Sequence, residues 1–299
     1  MKGEILEFLK MNDVEYKENA SLAAISTVKI GANADLIVYP NNIDKLVSLV
    51  SFFRKSKIRH KILGRMSNVL PPDENYCGVI VRTNRFCDYK IKGNLISASA
   101  GAFLPYLAKK TADAGLSGLE ELSGIPGSLG GAVAGNAGAF GREISDLVES
   151  VRVFDVNSGV ISDLKSNELG FKYRTSIFKS QELIILSASL RTCYSDKICI
   201  FSKISEYAKR RRGTQPVGFP SLGSTFKRPG DGIYAAKMID ECGLKGYKIG
   251  GASISERHAG FIVNVGGATA SDYLSLADYA TECVYRKFGI NLEKEIEIL

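Results

Sequence analysis

The polar and apolar positions of this chain change period repeatedly, and each change marks an element boundary. Short alternating or wholly apolar runs predict strands at DLIVY (35–39), RHKILG (59–64), CGVIVRT (77–83), LIILSASLR (183–191) and FIVNV (261–265). Apolar residues at helical spacing predict helices at IDKLVSLVSFFRKSK (43–57), FLPYLAKKTADAGL (103–116), ISEYAKRRR (204–212) and GIYAAKMIDECGL (232–244). Gly115 and Gly243 supply two of the stops. The strongest helical pattern is SDYLSLADYATECVYRKFG (271–289), where Tyr273, Leu276, Ala280, Val284 and Phe288 fall near one face. VESVRVFDV (148–156) and VISDL (160–164), joined through Asn157–Gly159, read as a hairpin, and LEKEIEIL (292–299) as a closing strand. The N-terminal MKGEILEFLKMNDVEY reads as a short amphipathic helix without a signal-peptide core. No internal repeat emerges, so periodicity alone leaves α+β or α/β.

One segment fits neither period. Residues 123–141 read SGIPGSLGGAVAGNAGAFG, with seven glycines in nineteen residues. Glycine is costly to order, so its density here needs a cause. Ile125, Leu129 and Val133 recur every four residues, which argues against a floppy linker. Glu120, Glu121, Arg142 and Glu143 flank the segment and exclude a membrane span. Two readings remain: tight backbone packing, or a cradle whose missing Cβ atoms admit a phosphorylated ligand. Neither the Rossmann fingerprint nor a P-loop is present, and glycine content alone does not separate the two readings. ILGRMSNVL (62–70) is a second candidate cradle, with Gly64, Ser67 and Asn68 in a turn after a strand-like run.

Composition narrows the chemistry. The 299 residues carry a formal net charge of +7, are 45% hydrophobic and 24% charged, and can bury a sizeable core in two or three domains. No apolar run is long enough to span a bilayer. Six cysteines lie scattered without a CxxC pair, and with only His60 and His258 no metal site is expected. The basic cluster Lys209–Gly213 (KRRRG) fits a solvated helix end or a phosphate-bearing small ligand; nucleic acid is disfavoured because aromatic and basic residues do not interleave.

Taken in order, the motifs resemble the UDP-N-acetylenolpyruvoylglucosamine reductase (MurB) family of bacterial cell-wall synthesis. NASLAAISTVKIGANADLIVYP (19–40) is similar to the family's opening segment, and ILGRMSNVL and SGIPGSLGGAVAGNAGAFG to its two flavin loops. FKYRTSIF (171–178), PSLGSTFKRP (220–229), ERHAGFIVN (256–264) and LEKE (292–295) follow in family order. The spacing after YRTSIF resembles the subclass without an inserted tyrosine loop. The resemblance implies an α+β, vanillyl-alcohol-oxidase/PCMH-like FAD fold. Residues 1–84 and 85–195 would be FAD-binding subdomains, and 196–299 a substrate-binding domain. It implies a cytoplasmic flavoenzyme of peptidoglycan precursor synthesis, hence of cell-wall biogenesis, shape and division. Hydride would pass from NADPH to FAD to the vinyl carbon of UDP-N-acetylglucosamine enolpyruvate, giving UDP-N-acetylmuramate. No nucleic-acid partner, membrane insertion or metal is implied.

The same resemblance assigns residues. Gly64, Arg65, Met66, Ser67, Asn68 and Val69 of the first loop would hold FAD. So would Gly124, Ile125, Pro126, Gly127, Ser128, Gly130, Gly131, Asn136, Ala137 and Gly138 of the second. Arg174 would stabilise an enolate, its planar guanidinium being suited to carboxylate oxygens. Ser224 would donate the proton. Glu293, Glu295 and Glu297 share a face by alternation, and the family's L-E-x-E pattern selects Glu295 as a second carboxyl group. Tyr173, Arg211, Gly223 and Lys227 are candidate substrate contacts. Three positions depart from the family: Arg65–Met66 replaces glycines of the first loop, Gly31-Ala32-Asn33-Ala34 replaces G-G-P-A, and Arg228 replaces an asparagine. Competing readings are another FAD oxidoreductase of this fold, a non-catalytic nucleotide-binding homologue, and a homologue that has lost its flavin.

Overall fold

The computed structural model describes Lys2–Leu299; Met1, at the head of the predicted N-terminal helix, lies outside the described residues. The chain divides into two compact units. The first takes the chain up to Asn19, then Asp35–Arg65 and Cys77–Lys209. The second takes Ala20–Ala34, Met66–Tyr76 and Arg210–Leu299.

The first unit holds two sheets with separate cores. The smaller sheet orders its strands Glu15–Ser21, Asn33–Tyr39, Tyr76–Arg82 and His60–Leu63, the last two parallel. Helix Ile43–Lys55 packs on it through Leu46, Leu49, Val50 and Phe53. Asn42 starts that helix by accepting the Lys45 amide at 2.8 Å, which satisfies one of the orphan donors of the first turn. The larger sheet orders Ile161–Lys165, Val148–Asp155, Leu183–Arg191, Leu95–Ser99 and Tyr89–Lys92, antiparallel throughout. The predicted hairpin forms its edge. Helix Leu104–Asp113 and the short helix Leu129–Ala134 cover this sheet, with Leu104, Leu107, Ala108, Leu129 and Val133 in the core.

The second unit is built around helix Ala270–Phe288, whose Tyr273, Leu276, Ala277, Ala280 and Val284 are fully buried. A capping box of Thr269 and Asp272 opens it, and Gly289 in the left-handed region closes it. The Asp73 carboxylate also accepts from the Ala270 and Ser271 amides at 2.6 and 2.9 Å, a favourable place for negative charge at a helix N-terminus. Against this helix lies a three-stranded sheet of Lys248–Ile249, Ala252–Ile254 and Ile262–Asn264. Val69–Leu70 pairs in parallel with Glu297–Ile298.

Three predicted elements change length. The closing strand shrinks to Glu297–Ile298, because residues 293–295 bond instead to the loop at 225–227. The helix at 232–244 shrinks to Ala235–Glu241, its start taken by a tight Gly230–Ile233 turn. The basic helix grows to Lys197–Thr214, because the Asp196 carboxylate accepts from the Ile198 and Cys199 amides. Its first turns leave Ile198 80% exposed, which erased the periodic signal. Among the described residues no helix is long and apolar enough to cross a membrane.

Candidate active site

The glycine-rich segment begins as a run that threads into the sheet and then turns into helix Leu129–Ala134. The Gly127 carbonyl accepts from the Leu104 amide, and the Leu129 and Gly130 amides donate to Ala102 and Ala100. Ser128 caps the helix through its hydroxyl. A Cβ on Gly130 would lie 2.9 Å from the Ala100 Cβ and 3.1 Å from the Ala100 carbonyl oxygen, so Gly130 is glycine for packing. Its neighbour Gly131 is exposed, and a Cβ there would meet nothing nearer than the Ser128 hydroxyl at 3.4 Å. Both readings of the glycines therefore have residues to claim. Gly64 is a third case: a Cβ would come within 2.1 Å of the Ser128 hydroxyl, so its absence lets the first loop approach the second.

Downstream, Gly138–Ala139 and Arg142–Glu143 form a two-residue hairpin with Phe140 and Gly141 at its corner, both with positive φ. Phe140 adopts a conformation that favours glycine, at a cost of about 1–2 kcal/mol, and stacks on Tyr207 at 4.8 Å. Asn136 is also left-handed and is 1% exposed. Its side-chain nitrogen donates to Glu143 Oε2 at 2.8 Å and to the Lys172 carbonyl at 3.0 Å, and its side-chain oxygen accepts the Ser145 amide at 3.2 Å.

Arg174 sits on a matching turn. The Lys172 and Thr175 amides and carbonyls exchange hydrogen bonds, and Arg174 within that turn has φ 54°. Its guanidinium donates to the Asn136 carbonyl at 3.4 Å and the Gly138 carbonyl at 3.2 Å, and lies 3.7 Å from Glu143 Oε1. Ser176 donates to the Ala134 carbonyl at 2.7 Å. Tyr173 is 37% exposed, with the Arg174 guanidinium 4.9 Å from its ring centroid. Thus Arg174, Asn136 and Gly138 are brought together. Met66 is a further left-handed residue, with φ 55° and 2% exposure, a backbone conformation that favours glycine.

The first loop ends in charge. Arg65 lies over the Phe103 ring at 4.0 Å, and its Nε is buried without a hydrogen-bond partner. Burial pulls its pKa below the ordinary arginine value. Arg82 is 6% exposed and is held below its ordinary value chiefly by burial, with repulsion from Arg65 adding to the effect. Two desolvated cations whose charges repel one another favour an anion.

In the second unit, Ser224 and Glu295 lie on paired backbone. The Glu295 amide donates to the Thr225 carbonyl at 2.8 Å, and the Lys227 amide to the Glu293 carbonyl at 2.9 Å. The Ser224 hydroxyl donates to the Phe226 carbonyl at 3.1 Å. Asn68 grips the other side of Glu295: its side chain donates to the Glu295 carbonyl at 3.0 Å, and its carbonyl accepts the Glu297 amide at 2.9 Å. Beneath them Thr225 is fully buried and hydrogen-bonds Tyr273 Oη at 2.9 Å; burial drives the Tyr273 hydroxyl far above its ordinary pKa. Gly223 has φ 82° and open space around its Cα. Lys227 is ion-paired with Glu293. Arg211 is half-buried, with its pKa lowered by desolvation.

A family profile described as the UDP-N-acetylenolpyruvoylglucosamine reductase C-terminal domain matches residues 215–299, and an FAD binding domain profile matches residues 34–165. A curated relative from Caldicellulosiruptor bescii, named UDP-N-acetylenolpyruvoylglucosamine reductase, is 42% identical over 98% of this chain and 93% of its own length. This chain belongs to that reductase family. A MurB relative from Syntrophomonas wolfei is 40% identical over 100% of this chain and 99% of its own. The solved MurB of Thermus caldophilus superposes with a TM-score of 0.80 at 34% identity, covering 95% of this chain and 98% of that one. A glucooligosaccharide oxidase from Acremonium strictum reaches a TM-score of 0.50 at 13% identity, over 97% of this chain and 60% of that one, a likeness of fold alone. This chain thus has the α+β, PCMH-like FAD-binding fold and is an FAD-dependent reductase.

The residues present fit the flavin. Gly131 offers exposed backbone without a Cβ, and the unpartnered Arg65 Nε beside buried Arg82 suits an anionic group such as a pyrophosphate. Among the described residues no His, Cys, Asp and Glu cluster could hold a metal. Sequence reading missed Glu143, Arg82, Thr225 and Tyr273. Tyr273 was visible only as a core helix position, and nothing in its spacing announced the partner at Thr225.

Proposed function

We propose that this MurB-family chain reduces the enolpyruvyl ether of UDP-N-acetylglucosamine to the lactyl ether of UDP-N-acetylmuramate, with NADPH as hydride donor, in the cytoplasm. One observation carries the reading: a relative bearing the reductase name matches 98% of this chain at 42% identity. FAD, when bound, supplies the two-electron relay between NADPH and the substrate. The residues that would hold it are Gly64–Val69 and the segment from Gly124 to Gly138, with Arg65 and Arg82 supplying positive charge. The expected bounds are 1–84 and 85–195 for two FAD-binding subdomains and 196–299 for the substrate; two sheets with separate cores in the first unit support the pair, while Ala20–Ala34 and Met66–Tyr76 group with Arg210–Leu299.

The substrate gains a hydride at its terminal vinyl carbon and a proton at the α-carbon. Between the two events negative charge spreads onto the carboxylate as an enolate. Arg174 meets that charge with a guanidinium already fixed by two carbonyls, so little reorganisation remains at the moment of reaction. Ser224 donates the proton, turning its hydroxyl from the Phe226 carbonyl toward the α-carbon. Glu295, its backbone clamped by Thr225 and Asn68, brings its carboxyl group to the enolate. The open space at Gly223 admits substrate beside Ser224. Arg211 and Lys227 serve the diphosphate, and Tyr173 is a further contact. Purified protein loaded with FAD is expected, under anaerobic conditions, to oxidise one equivalent of NADPH by itself and to turn NADPH over only when the enolpyruvyl substrate is added, yielding a product heavier by two hydrogens. Sustained NADPH oxidation with substrate present and no such product would refute the reading.

A further inference from the structure

Outside the assigned residues, one carboxylate faces the guanidinium that the reaction uses. Glu143 pairs across the two-residue hairpin with Gly138. Its Oε1 lies 3.7 Å from Arg174 Nη1, and its Oε2 accepts the Asn136 side chain at 2.8 Å. Both partners are substantially shielded, the Arg174 side chain at 17% and the Glu143 side chain at 33% exposure. Gly138 is built for this approach: a Cβ there would lie 3.0 Å from Glu143 Cγ and 3.3 Å from Arg174 Nη1. Asn136 in turn is fixed by Lys172 and Ser145, so a chain of contacts runs from the buried amide through the carboxylate to the guanidinium.

We infer that Glu143 is a positioning residue for Arg174. The inference rests on the function proposed above, in which Arg174 meets the enolate. An arginine has a long side chain with many rotamers, and holding it in one before the reaction keeps that ordering cost out of the transition state. Two carbonyl acceptors restrain the guanidinium, and the carboxylate, 3.7 Å from Nη1, adds a charge contact that favours the same orientation. The Glu143 charge also offsets part of the Arg174 charge, so it weakens the ground-state pull on a substrate carboxylate while keeping the guanidinium aimed. Positioning and attraction therefore pull apart when the charge is removed.

Glu143→Gln keeps an oxygen for Asn136 and removes the negative charge. It is expected to slow reoxidation of reduced flavin by the enolpyruvyl substrate about tenfold or more, the scale lost when a group that orients a reacting side chain is removed. NADPH reduction of the flavin stays within about twofold, and binding of UDP-N-acetylmuramate, measured by calorimetry, is no weaker than wild type. Glu143→Asp restores part of the rate, and in an Arg174→Met background Glu143→Gln adds no further loss. Thermal melting and flavin content of each variant identify any that fail to fold. Should Glu143→Gln fail in this way, the Glu143→Asp and Arg174→Met comparisons carry the test. Reoxidation within about twofold of wild type, product binding that weakens in step with the rate, or additive losses in the double variant would each overturn the role of Glu143. Failure of the wild type itself to be reoxidised by this substrate would overturn the proposed function instead.

Discussion

Adjacent glycines in the glycine-rich segment give opposite predictions. Gly130 packs its Cα against Ala100, and an added methyl would sit 2.9 Å from the Ala100 Cβ and 3.1 Å from its carbonyl oxygen. The Gly130 amide already bonds that carbonyl at 2.8 Å, so neither side can retreat without breaking a contact. Overpacking of this kind costs about 1–3 kcal/mol, and the gain in helix propensity returns up to about 1. Gly130→Ala should therefore lose about 1–2 kcal/mol of stability without FAD. Gly131→Ala meets only the Ser128 hydroxyl, at 3.4 Å, and lies in the same helix, so the apo protein should keep or gain up to about 1 kcal/mol. If the exposed Gly131 backbone lies against flavin, its new methyl must raise the FAD dissociation constant by at least about tenfold, or ~1.4 kcal/mol. Urea denaturation of the apo variants and fluorescence titration with FAD measure the two quantities separately. Wild-type flavin affinity in Gly131→Ala would remove that residue from the cradle, and unchanged apo stability in Gly130→Ala would refute the packing argument.

Three further outcomes follow from the second unit. Ser224→Ala should leave NADPH reduction of flavin nearly intact and slow reoxidation by about a hundredfold or more; equal loss in both half-reactions would end the proton-donor assignment. Tyr273→Phe removes one of two partners of the buried Thr225 hydroxyl, the Ile262 amide at 3.3 Å remaining, and should cost about 1 kcal/mol in urea denaturation, whereas an unshifted midpoint would show that the bond contributes nothing net. Burial pushes the His258 imidazole below its ordinary pKa, Lys245 adding to the effect, and its Nδ1 accepts the Gly260 amide at 3.2 Å. The unfolded chain then takes up the proton first. Stability is complete above about pH 6.5 and falls as the pH drops through the folded value, and His258→Gln should flatten that slope in denaturation curves at successive pH. An unchanged slope would place the titration elsewhere.

The strands and helices of the two cores were legible because burial on one face writes its period into the sequence. Leu46, Leu49, Val50 and Phe53 read as a helix and bury as one, and Tyr273 through Val284 do likewise. The short terminal strand was misread because LEKEIEIL alternates while most of its backbone bonds go to a loop. At the candidate site, motif order picked out Arg174, Ser224 and Glu295, and composition alone would have passed over all three. Glu143 stayed hidden because its meaning depends on a tight turn at Phe140–Gly141 that folds it back onto Gly138. Phe140 at φ 53° is an unusual corner residue, so the sequence carries no Asn-Gly signal for that hairpin. The glycines were ambiguous for a related reason. A missing side chain records that something lies close, and only the fold shows that Ala100 faces Gly130 while Gly131 faces outward.

The most direct measurement is the visible absorbance of the FAD-loaded protein, under anaerobic conditions, during addition of NADPH and then of UDP-N-acetylglucosamine enolpyruvate. The account predicts a flavin band that bleaches with NADPH and returns with the enolpyruvyl substrate. A band that bleaches and does not return on that addition would contradict it.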